Sequence, residues 1–385
     1  MRASENPIRQ AALARLLSFI PPEVLAASDR MKEIRSKFVD TARDKELALR
    51  VLKLKTSFDG PVDGKEGSIL IITGESHAGK TTMLERTLLV DPGLQEYKVD
   101  GMPIKPLVFM EVKAPSSLQS LAVDLLKMLG YPVKVDMKRP AAFRLLLEKL
   151  QERQVLILWL DEAQNLLQNN PVELGILANN LVTIEQNPEW PIRIILSGLP
   201  DLDMLVDNYK QIRSRADHWP LGRTTSPEHV ATWLHKIVEE HATLALDDTL
   251  YYYNEDEEKW VDNEDFALRL IHASDGNFGT ILRLIRDAVE CGLKDHDAAV
   301  AEGTAPPSCR IGRDNFAKAY SNIVGVLNQA NIFYVPHWGD LPGGMARVKL
   351  EEMRAASQQE PPSQQQDEEK AGKKVKPLRA GERRK

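Results

Sequence analysis

One stretch constrains the fold of this chain more than any other: an apolar run that leads into a glycine-rich turn and a lysine. The run from Ile69 to Ile72 has the length and composition of a buried parallel strand. Gly74 then opens a loop, which Gly79, Lys80 and Thr81 close at the start of a predicted helix. The spacing G-x-x-x-x-G-K-[ST] is that of a phosphate-binding loop.

The residue types in this loop suit a polyphosphate with a divalent cation. Glycines let backbone N–H groups point inward, and the helix N-terminus adds partial positive charge. Lys80 can reach the β- and γ-phosphates of ATP, and the Thr81 hydroxyl can ligate Mg²⁺. A chance Gly-Lys-Thr turn is the alternative, which the flanking strand and amphipathic helix disfavour. We therefore expect the whole loop to bind the nucleotide: Gly74, Glu75, Ser76, His77, Ala78, Gly79, Lys80, Thr81 and Thr82.

A second apolar strand ends in two carboxylates. The run from Val155 to Leu160 is followed by Asp161 and Glu162. If this strand lies beside the phosphate-binding loop, Asp161 can hold Mg²⁺ through water, and Glu162 can orient or deprotonate a water at the γ-phosphate. An acidic pair after a strand often only caps a helix, but its place downstream of the loop favours a catalytic role. An activated water indicates ATP hydrolysis.

Three further polar groups are candidates. Ser197 ends another buried strand and is expected to contact the attacking water or the γ-phosphate; the alternative is a structural strand-end serine. Arg213 and Arg215 end a short helix at the rim of the predicted sheet. An arginine there can stabilise transition-state charge in a neighbouring subunit, with Arg215 preferred, or can pair on the surface with Asp217. Arg283 can fold back over the phosphates or lie on a solvated helix face.

Alternation of strand and helix patterns predicts an α/β fold: a parallel sheet with flanking helices, followed by a small all-helical lid domain. Residues 29–54 read as one long helix, and Tyr97–Ile104 as a small hairpin. The acidic segment from Tyr251 to Asp262 reads as a solvated loop. Strands are predicted at Ser68–Thr73, Leu107–Val112, Val155–Leu160, Ile192–Ser197 and near Trp219–Leu221. The expected divisions are a helical extension (1–66), the α/β domain (67–222), the lid (223–330), a connecting segment (331–354) and a disordered basic tail (355–385).

Composition limits the partners and the compartment. The 385 residues carry a net charge of −6, so any nucleic-acid binding must come from a local basic patch. No apolar run approaches the roughly 18 residues of a membrane span, and the N-terminus lacks a signal-peptide core. Cys291 and Cys309 are the only cysteines, which suits a reducing compartment. We expect a cytoplasmic protein without a membrane partner.

The order of these elements resembles the AAA+ ATPases, and within them the TniB/TnsC family of transposition ATPases. The residues that carry this resemblance are Gly74–Thr82, Leu160–Gln164, Leu196–Pro200, Arg215 and Gly276–Ile285. The resemblance implies a regulator that binds ATP and Mg²⁺, assembles as a ring or helical filament on double-stranded DNA, and links a TniQ-like target selector to the transposase. The acidic segment has no counterpart in that pattern.

The resemblance also implies DNA contacts on the inner face of the assembly. The sequence offers Lys98 and Lys105 on the hairpin, with Lys113 and Ser117 after the second strand. Contacts of these groups with phosphates would be salt-sensitive and sequence-tolerant. Each lysine could equally be an ordinary surface charge.

Two other functions stay open at this point. A helicase-loading ATPase has the same skeleton. A small-molecule kinase shares the phosphate-binding loop, but Glu162, Arg215 and the predicted lid disfavour it.

Overall fold

The computed structural model describes residues 7–58, 67–114, 116–131, 133, 137–167, 171–254, 259–263, 265–306, 308–326 and 328–344. The predicted basic tail, residues 355–385, lies outside these ranges.

Helices and strands follow the chain in three groups. The first group is helical: α1 (Pro7–Leu17), α2 (Pro22–Ser36) and α3 (Ala42–Thr56). The second alternates: β1 (Ile69–Thr73), α4 (Lys80–Leu88), β2 (Tyr97–Val99), β3 (Met102–Ile104), β4 (Leu107–Glu111), α5 (Leu118–Met128), α6 (Arg139–Glu152), β5 (Ile157–Asp161), α7 (Pro171–Glu185), β6 (Arg193–Gly198), α8 (Asp203–Asn208), α9 (Lys210–Arg213) and β7 (Ala216–Pro220). The third is the lid: α10 (Pro227–His235), β8 (Ala245–Leu246), β9 (Tyr251–Asn254), β10 (Lys259–Asp262), α11 (Phe266–Ala273), α12 (Phe278–Glu302), β11 (Arg310–Ile311) and α13 (Arg313–Val324).

A parallel five-stranded sheet, in the order β4-β5-β6-β1-β7, forms the centre of the α/β region. Every residue of β1 is buried, because helices cover both of its faces. The predicted parallel sheet is therefore confirmed. The last strand begins at Ala216 rather than near Trp219, because the polar residues Asp217 and His218 still pair with β1 although they lack an apolar pattern.

Two apolar clusters lie on opposite faces of the sheet. Ile69 and Ile71 face a cluster built with α5, α6 and α7, whereas Leu70 and Ile72 face α3 and α4. Each fully buried side chain of this size stabilises the fold by about 2 kcal/mol. Alternation along β1 thus fixes the strand between the two layers of helices.

The structure corrects the single long helix expected over residues 29–54. Helix α2 ends at Ser36, and α3 begins at Ala42. The break comes from a local cap, since the Thr41 backbone N–H donates a 2.7 Å hydrogen bond to Asp44 Oδ2 at the start of α3. The two helices then serve different layers: α2 packs against the lid core through Met31 and Ile34, while α3 packs on the sheet.

The sequence predicts an all-helical lid, but the lid also contains short strands. Strand β8 pairs in parallel with β11, and β9 pairs with β10 as an antiparallel hairpin where a solvated loop was expected. Tyr251 anchors this hairpin because its side chain is 3% exposed and meets the Phe266 ring edge-on. Burial raises the pKa of Tyr251 well above its usual range.

The predicted hairpin at Tyr97–Ile104 is confirmed as β2 and β3. Asp100 and Gly101 have φ angles of 49° and 81°, which a two-residue primed turn requires. Of the helices in the described ranges, none has both the length and the apolar character to cross a membrane.

Candidate nucleotide-binding site

The phosphate-binding loop joins the end of β1 to the N-terminus of α4. Gly79 caps α4 with a φ of 90°, a backbone conformation that L side chains rarely adopt. A Cβ atom at this position would also lie 3.4 Å from the ring of Phe278 in the lid. The Gly74 N–H donates to the carbonyl of Gly198, which ties the start of the loop to β6.

Lys80 points into the loop. Its Nζ donates hydrogen bonds of 2.7 Å to the Gly74 carbonyl and 2.9 Å to the Glu75 carbonyl, and the residue is 6% exposed. Burial lowers the pKa of Lys80, and the charges of Glu162, Asp161 and Glu75 act against that shift. Phosphate oxygens could replace the two carbonyls as acceptors, so the ammonium is held where a triphosphate would need it.

Asp161 accepts hydrogen bonds from both sides. Thr81 Oγ1 donates to Asp161 Oδ2 at 2.6 Å, and Ser197 Oγ donates to Asp161 Oδ1 at 2.5 Å. Trp159 Nε1 donates in turn to Ser197 Oγ at 2.8 Å. This network brings together three of the predicted residues at the carboxyl edge of the sheet.

The hydroxyl of Ser197 has a different role from the one expected. The residue is fully buried, and its hydroxyl is engaged by Asp161 and Trp159. It therefore positions the carboxylate of Asp161 rather than facing an attacking water or a γ-phosphate. Sequence alone could not reveal this, because the Trp159 indole that fixes the hydroxyl lies on another strand.

The donor set fits Mg²⁺. One hydroxyl, from Thr81, and one carboxylate, from Asp161, lie within hydrogen-bond distance of each other at the mouth of the loop. Protein magnesium sites use one or two such oxygen ligands and complete the shell with water and substrate phosphates. Within the described residues, no cluster of three or more His, Cys, Asp or Glu side chains could hold a metal ion by itself.

Glu162 follows Asp161 directly and is half-buried. Its backbone has a φ of 52°, in the left-handed region, which turns the chain sharply at the end of β5. Glu162 Oε2 accepts a 2.5 Å hydrogen bond from Gln164 Nε2. Of the three carboxylates that act on Lys80, Glu162 raises its pKa most, against the lowering by burial.

The lid closes directly on the phosphate-binding loop, through residues that sequence reasoning did not assign. Asn277 Nδ2 donates to the Ser76 carbonyl at 2.7 Å, and the Gly279 N–H donates to the His77 carbonyl at 3.0 Å. A Cβ atom on Gly279 would lie 2.0 Å from that carbonyl oxygen. The signal for this contact in the sequence is the glycine-rich turn before α12.

A cavity of about 550 Å³ lies beside this contact, between the start of α3, the segment after β7 and α10. Arg43 lines the cavity: its guanidinium donates to the Gly222 carbonyl and lies 5.6 Å from the centroid of the Phe278 ring, which faces Gly79. Trp233 packs edge-on against Phe278. An aromatic and cationic wall of this kind can hold the base of a nucleotide whose phosphates lie in the loop.

Arg215 is not presented to a neighbouring subunit. The residue is 8% exposed, and its Nε lies 3.2 Å from Glu185 Oε2 within the same chain. Its Nη1 donates to the Gln211 carbonyl at 2.6 Å. In this geometry Arg215 is engaged by a buried carboxylate of its own chain, which disfavours a role in trans; that role stays a prediction. The surface partner considered for it, Asp217, pairs instead with Arg50.

Arg213 is the exposed member of the pair. Its guanidinium donates to the backbone carbonyls of Val206 and Asp207, at the end of α8. Because both acceptors are neutral carbonyls, these contacts do not neutralise the positive charge of Arg213. The difference could not be read from sequence, because both arginines follow the same short helix.

Arg283 does not fold over the phosphate-binding loop. Its side chain is 60% exposed and pairs with Asp287 at 3.5 Å, one turn along α12. It lines a surface groove with Arg35 and Lys294. The helix N-terminus lies against the loop, so a residue in its second turn already points away.

The structure distributes the four predicted DNA-contacting residues over two places. Lys98 lies on the hairpin, and Lys105 directly follows it and pairs with Glu96 at 3.1 Å. Lys113 is exposed after β4. Ser117 caps α5 by accepting from the Ser120 N–H at 3.1 Å. Their contact with DNA stays a prediction.

Comparisons with known proteins give one family and several structural likenesses. No curated protein matches the chain. The Aeropyrum pernix ORC2 protein (ADPNP–ADP complexes) is 18% identical, with 76% of this chain and 70% of that chain covered and a TM-score of 0.45. The Aeropyrum pernix ORC1 protein in complex with DNA is 19% identical, with coverages of 76% and 69% and a TM-score of 0.43. The Drosophila ORC bound to AT-rich DNA and Cdc6 is 15% identical, with 53% of this chain and 62% of that chain covered and a TM-score of 0.30.

The parallel sheet, the phosphate-binding loop and the lid that closes on it form an AAA+ fold. The model of the bacterial TniB protein family matches residues 30–225, just over half of the chain, and this protein therefore belongs to the TniB family.

Proposed function

We propose that this protein is an ATP-hydrolysing regulator of transposition that assembles on duplex DNA. The observation that carries the proposal is the convergence of Lys80, Thr81, Asp161 and Glu162 at one edge of the sheet, in a chain of the TniB family. These four groups supply the cation, the metal ligands and the base that ATP hydrolysis requires.

Each group has a separable task. Lys80 neutralises the β- and γ-phosphates, while Thr81 and Asp161 hold the metal, which when bound would offset charge on the phosphate oxygens. Glu162 accepts the proton of a water lined up with the γ-phosphate. The AAA+ lid contributes by closing over the nucleotide through Asn277.

An arginine from a neighbouring copy completes the site in this proposal. Arg213 is the better candidate, because it is exposed whereas Arg215 is buried against Glu185. A guanidinium supplied across a subunit boundary makes hydrolysis depend on assembly. Nucleotide state would then control the growth and release of a ring or filament.

The DNA-bound role follows from family membership and from the exposed cations. Lys98 and Lys113 are exposed, and Lys105, directly after the hairpin, is half-exposed. Their contacts would be with phosphates, so affinity for DNA should fall steeply with salt and vary little with sequence. In the cell, the assembly would connect a TniQ-like target selector to a transposase.

The test combines a trapped variant with images of the particles. Glu162→Gln should bind ATP normally, hydrolyse it about a hundredfold more slowly, and stay assembled on duplex DNA. The wild-type protein should release DNA as ATP is consumed. Negative-stain microscopy and a phosphate-release assay read the two effects.

Lys80→Ala in the presence of ATP is the control, since it should remain dispersed. If neither ATP nor DNA enlarges the wild-type particles, the assembly proposal is wrong. If Glu162→Gln turns over at the wild-type rate, Glu162 does not activate the water. Deletion of the gene should lower the insertion frequency of its element; an unchanged frequency would contradict the role in transposition.

A further inference from the structure

Gln164 connects the catalytic carboxylate to a second strand end. Its Nε2 donates a 2.5 Å hydrogen bond to Glu162 Oε2, and its Oε1 accepts a 3.0 Å hydrogen bond from the Leu199 N–H. The amide of Gln164 therefore donates a hydrogen bond through its nitrogen and accepts one through its oxygen. An amide can donate at one end and accept at the other, as can a protonated carboxyl of the same length, whereas an ionised carboxylate can only accept.

The neighbouring backbone leaves room for this amide and for little else. A Cβ atom on Gly198 would lie 2.2 Å from Gln164 Oε1, 2.7 Å from Leu202 Cδ1 and 3.3 Å from the Ala163 backbone nitrogen. Gly198 ends β6 and is followed directly by Leu199, the donor to the amide. The missing side chain at Gly198 thus creates the space in which Gln164 bridges the two strand ends.

Glu162 itself is held under strain. Its φ of 52° lies in the left-handed region, which residues with a side chain rarely adopt, so surrounding contacts must maintain it. The hydrogen bond from Gln164 fixes one carboxylate oxygen. The other oxygen then has a defined direction in which to accept a proton from water.

The far end of the bridge leads toward the subunit boundary of the proposed assembly. Leu199 opens the turn Pro200–Leu202, which runs into α8 and α9. Arg213 ends α9 and donates to carbonyls at the end of α8. A displacement of this segment would therefore reach Glu162 through Leu199 and Gln164.

We propose that Gln164 is a positioning residue that holds Glu162 in its water-activating orientation and links that orientation to the loop after β6. This inference rests on the proposed ATP hydrolysis. Gln164 touches neither phosphate nor metal in this role, so its loss should lower kcat and leave ATP affinity unchanged.

Two variants test the bridge. Gln164→Ala removes both hydrogen bonds, and Gln164→Glu keeps the shape but places a carboxylate against Glu162. Each should lower kcat by about tenfold or more, with the dissociation constant for a fluorescent ATP analogue within about twofold of wild type.

The pH profile of Gln164→Glu separates positioning from a structural role. A protonated carboxyl restores one donor and one acceptor, and two adjacent carboxylates raise the pKa of one of them. The ratio of the variant's kcat to that of the wild type should therefore rise as the pH falls from about 8 to about 6. A flat ratio would contradict the bridge.

Asn165→Ala is the matched control. It removes a side-chain hydrogen bond from the same turn, between Asn165 Nδ2 and the Val112 carbonyl, and keeps the backbone hydrogen bond from the Asn165 N–H to the Glu162 carbonyl. Its kcat should match that of the wild type. If the wild type hydrolyses ATP and both Gln164 variants match it, this inference alone fails. If the wild type itself does not hydrolyse ATP with DNA present, the proposed function fails with it.

Discussion

Thr81 Oγ1 donates a 2.6 Å hydrogen bond to Asp161 Oδ2 across the intervening strand β6, whose Ser197 binds the other carboxylate oxygen. The sheet order places β6 between β1 and β5, so Asp161 at the end of β5 receives one hydroxyl from β6 and one from α4, the helix that follows β1. Thr81 and Asp161 are the residues that would hold a magnesium ion here, and the Ser197 hydroxyl would keep the carboxylate of Asp161 oriented.

Thr81→Val should therefore remove the metal dependence of nucleotide binding. The substitution keeps the branched shape but lacks the oxygen that would ligate Mg²⁺. Wild-type affinity for a fluorescent ATP analogue should fall by about tenfold or more when EDTA removes the metal, whereas the variant should bind equally weakly with and without it. Thr81→Ser, which retains the hydroxyl, should behave as wild type. A variant that still responds to magnesium would assign the ligand to another residue.

The parts of the fold that follow from local pattern were predictable, and the parts that depend on contacts between distant residues were not. The apolar run before Gly74 and the spacing to Lys80 determine the strand and the loop. The lid contact through Asn277 joins residues about two hundred positions apart, and no local pattern encodes it. The β9–β10 hairpin was missed because its acidic composition hides the buried Tyr251.

The substitutions Arg213→Ala and Arg215→Ala should have different effects. Arg213→Ala should fold normally and bind ATP, while hydrolysis by the assembly falls by about a thousandfold, the loss typical of an arginine supplied in trans. Arg215→Ala should instead lower the free energy of unfolding by about 3 kcal/mol, because Glu185 is left buried without its nearest cation. Thermal melts and phosphate release measure the two effects.

A mixing experiment shows whether Arg213 acts across the boundary. Arg213→Ala has an intact Glu162, and Glu162→Gln has an intact Arg213. Mixed assemblies should regain part of the hydrolysis that each variant lacks alone. Loss of hydrolysis in Arg215→Ala at unchanged stability, with normal turnover in Arg213→Ala, would return the role to Arg215.

Gly279→Ala should prevent the lid from closing on the phosphate-binding loop. The added Cβ would lie 2.0 Å from the His77 carbonyl oxygen, a backbone atom that cannot turn aside. The Asn277 contact should be lost with it, and affinity for ATP should fall by about tenfold. Gly339→Ala is a suitable control, since within the described part of the chain no atom beyond its sequence neighbours lies within 4 Å of the added Cβ. Equal affinities for the two variants would show that this contact does not hold the nucleotide.

His241 should make the stability of the junction between α2, α3 and the lid depend on pH. The residue is 8% exposed, and Lys37 Nζ donates to its backbone carbonyl at 2.8 Å. Burial lowers the pKa of His241 most, and the charges of Arg286, Lys236 and Lys37 lower it further, against Glu240. His241 therefore binds a proton less readily in the folded protein than in the unfolded chain.

The sign of the effect follows from that difference. Above the unfolded pKa, 6.5, both states are neutral at this position and the full stability is present. As the pH falls below 6.5 toward the lowered pKa of the folded state, only the unfolded chain gains a proton, and the free energy of unfolding decreases. The Tm of the wild type should fall over this interval, and His241→Asn should show a shallower fall. The exposed His337→Asn should follow the wild type; identical slopes for His241→Asn would mean that another group controls the acid sensitivity.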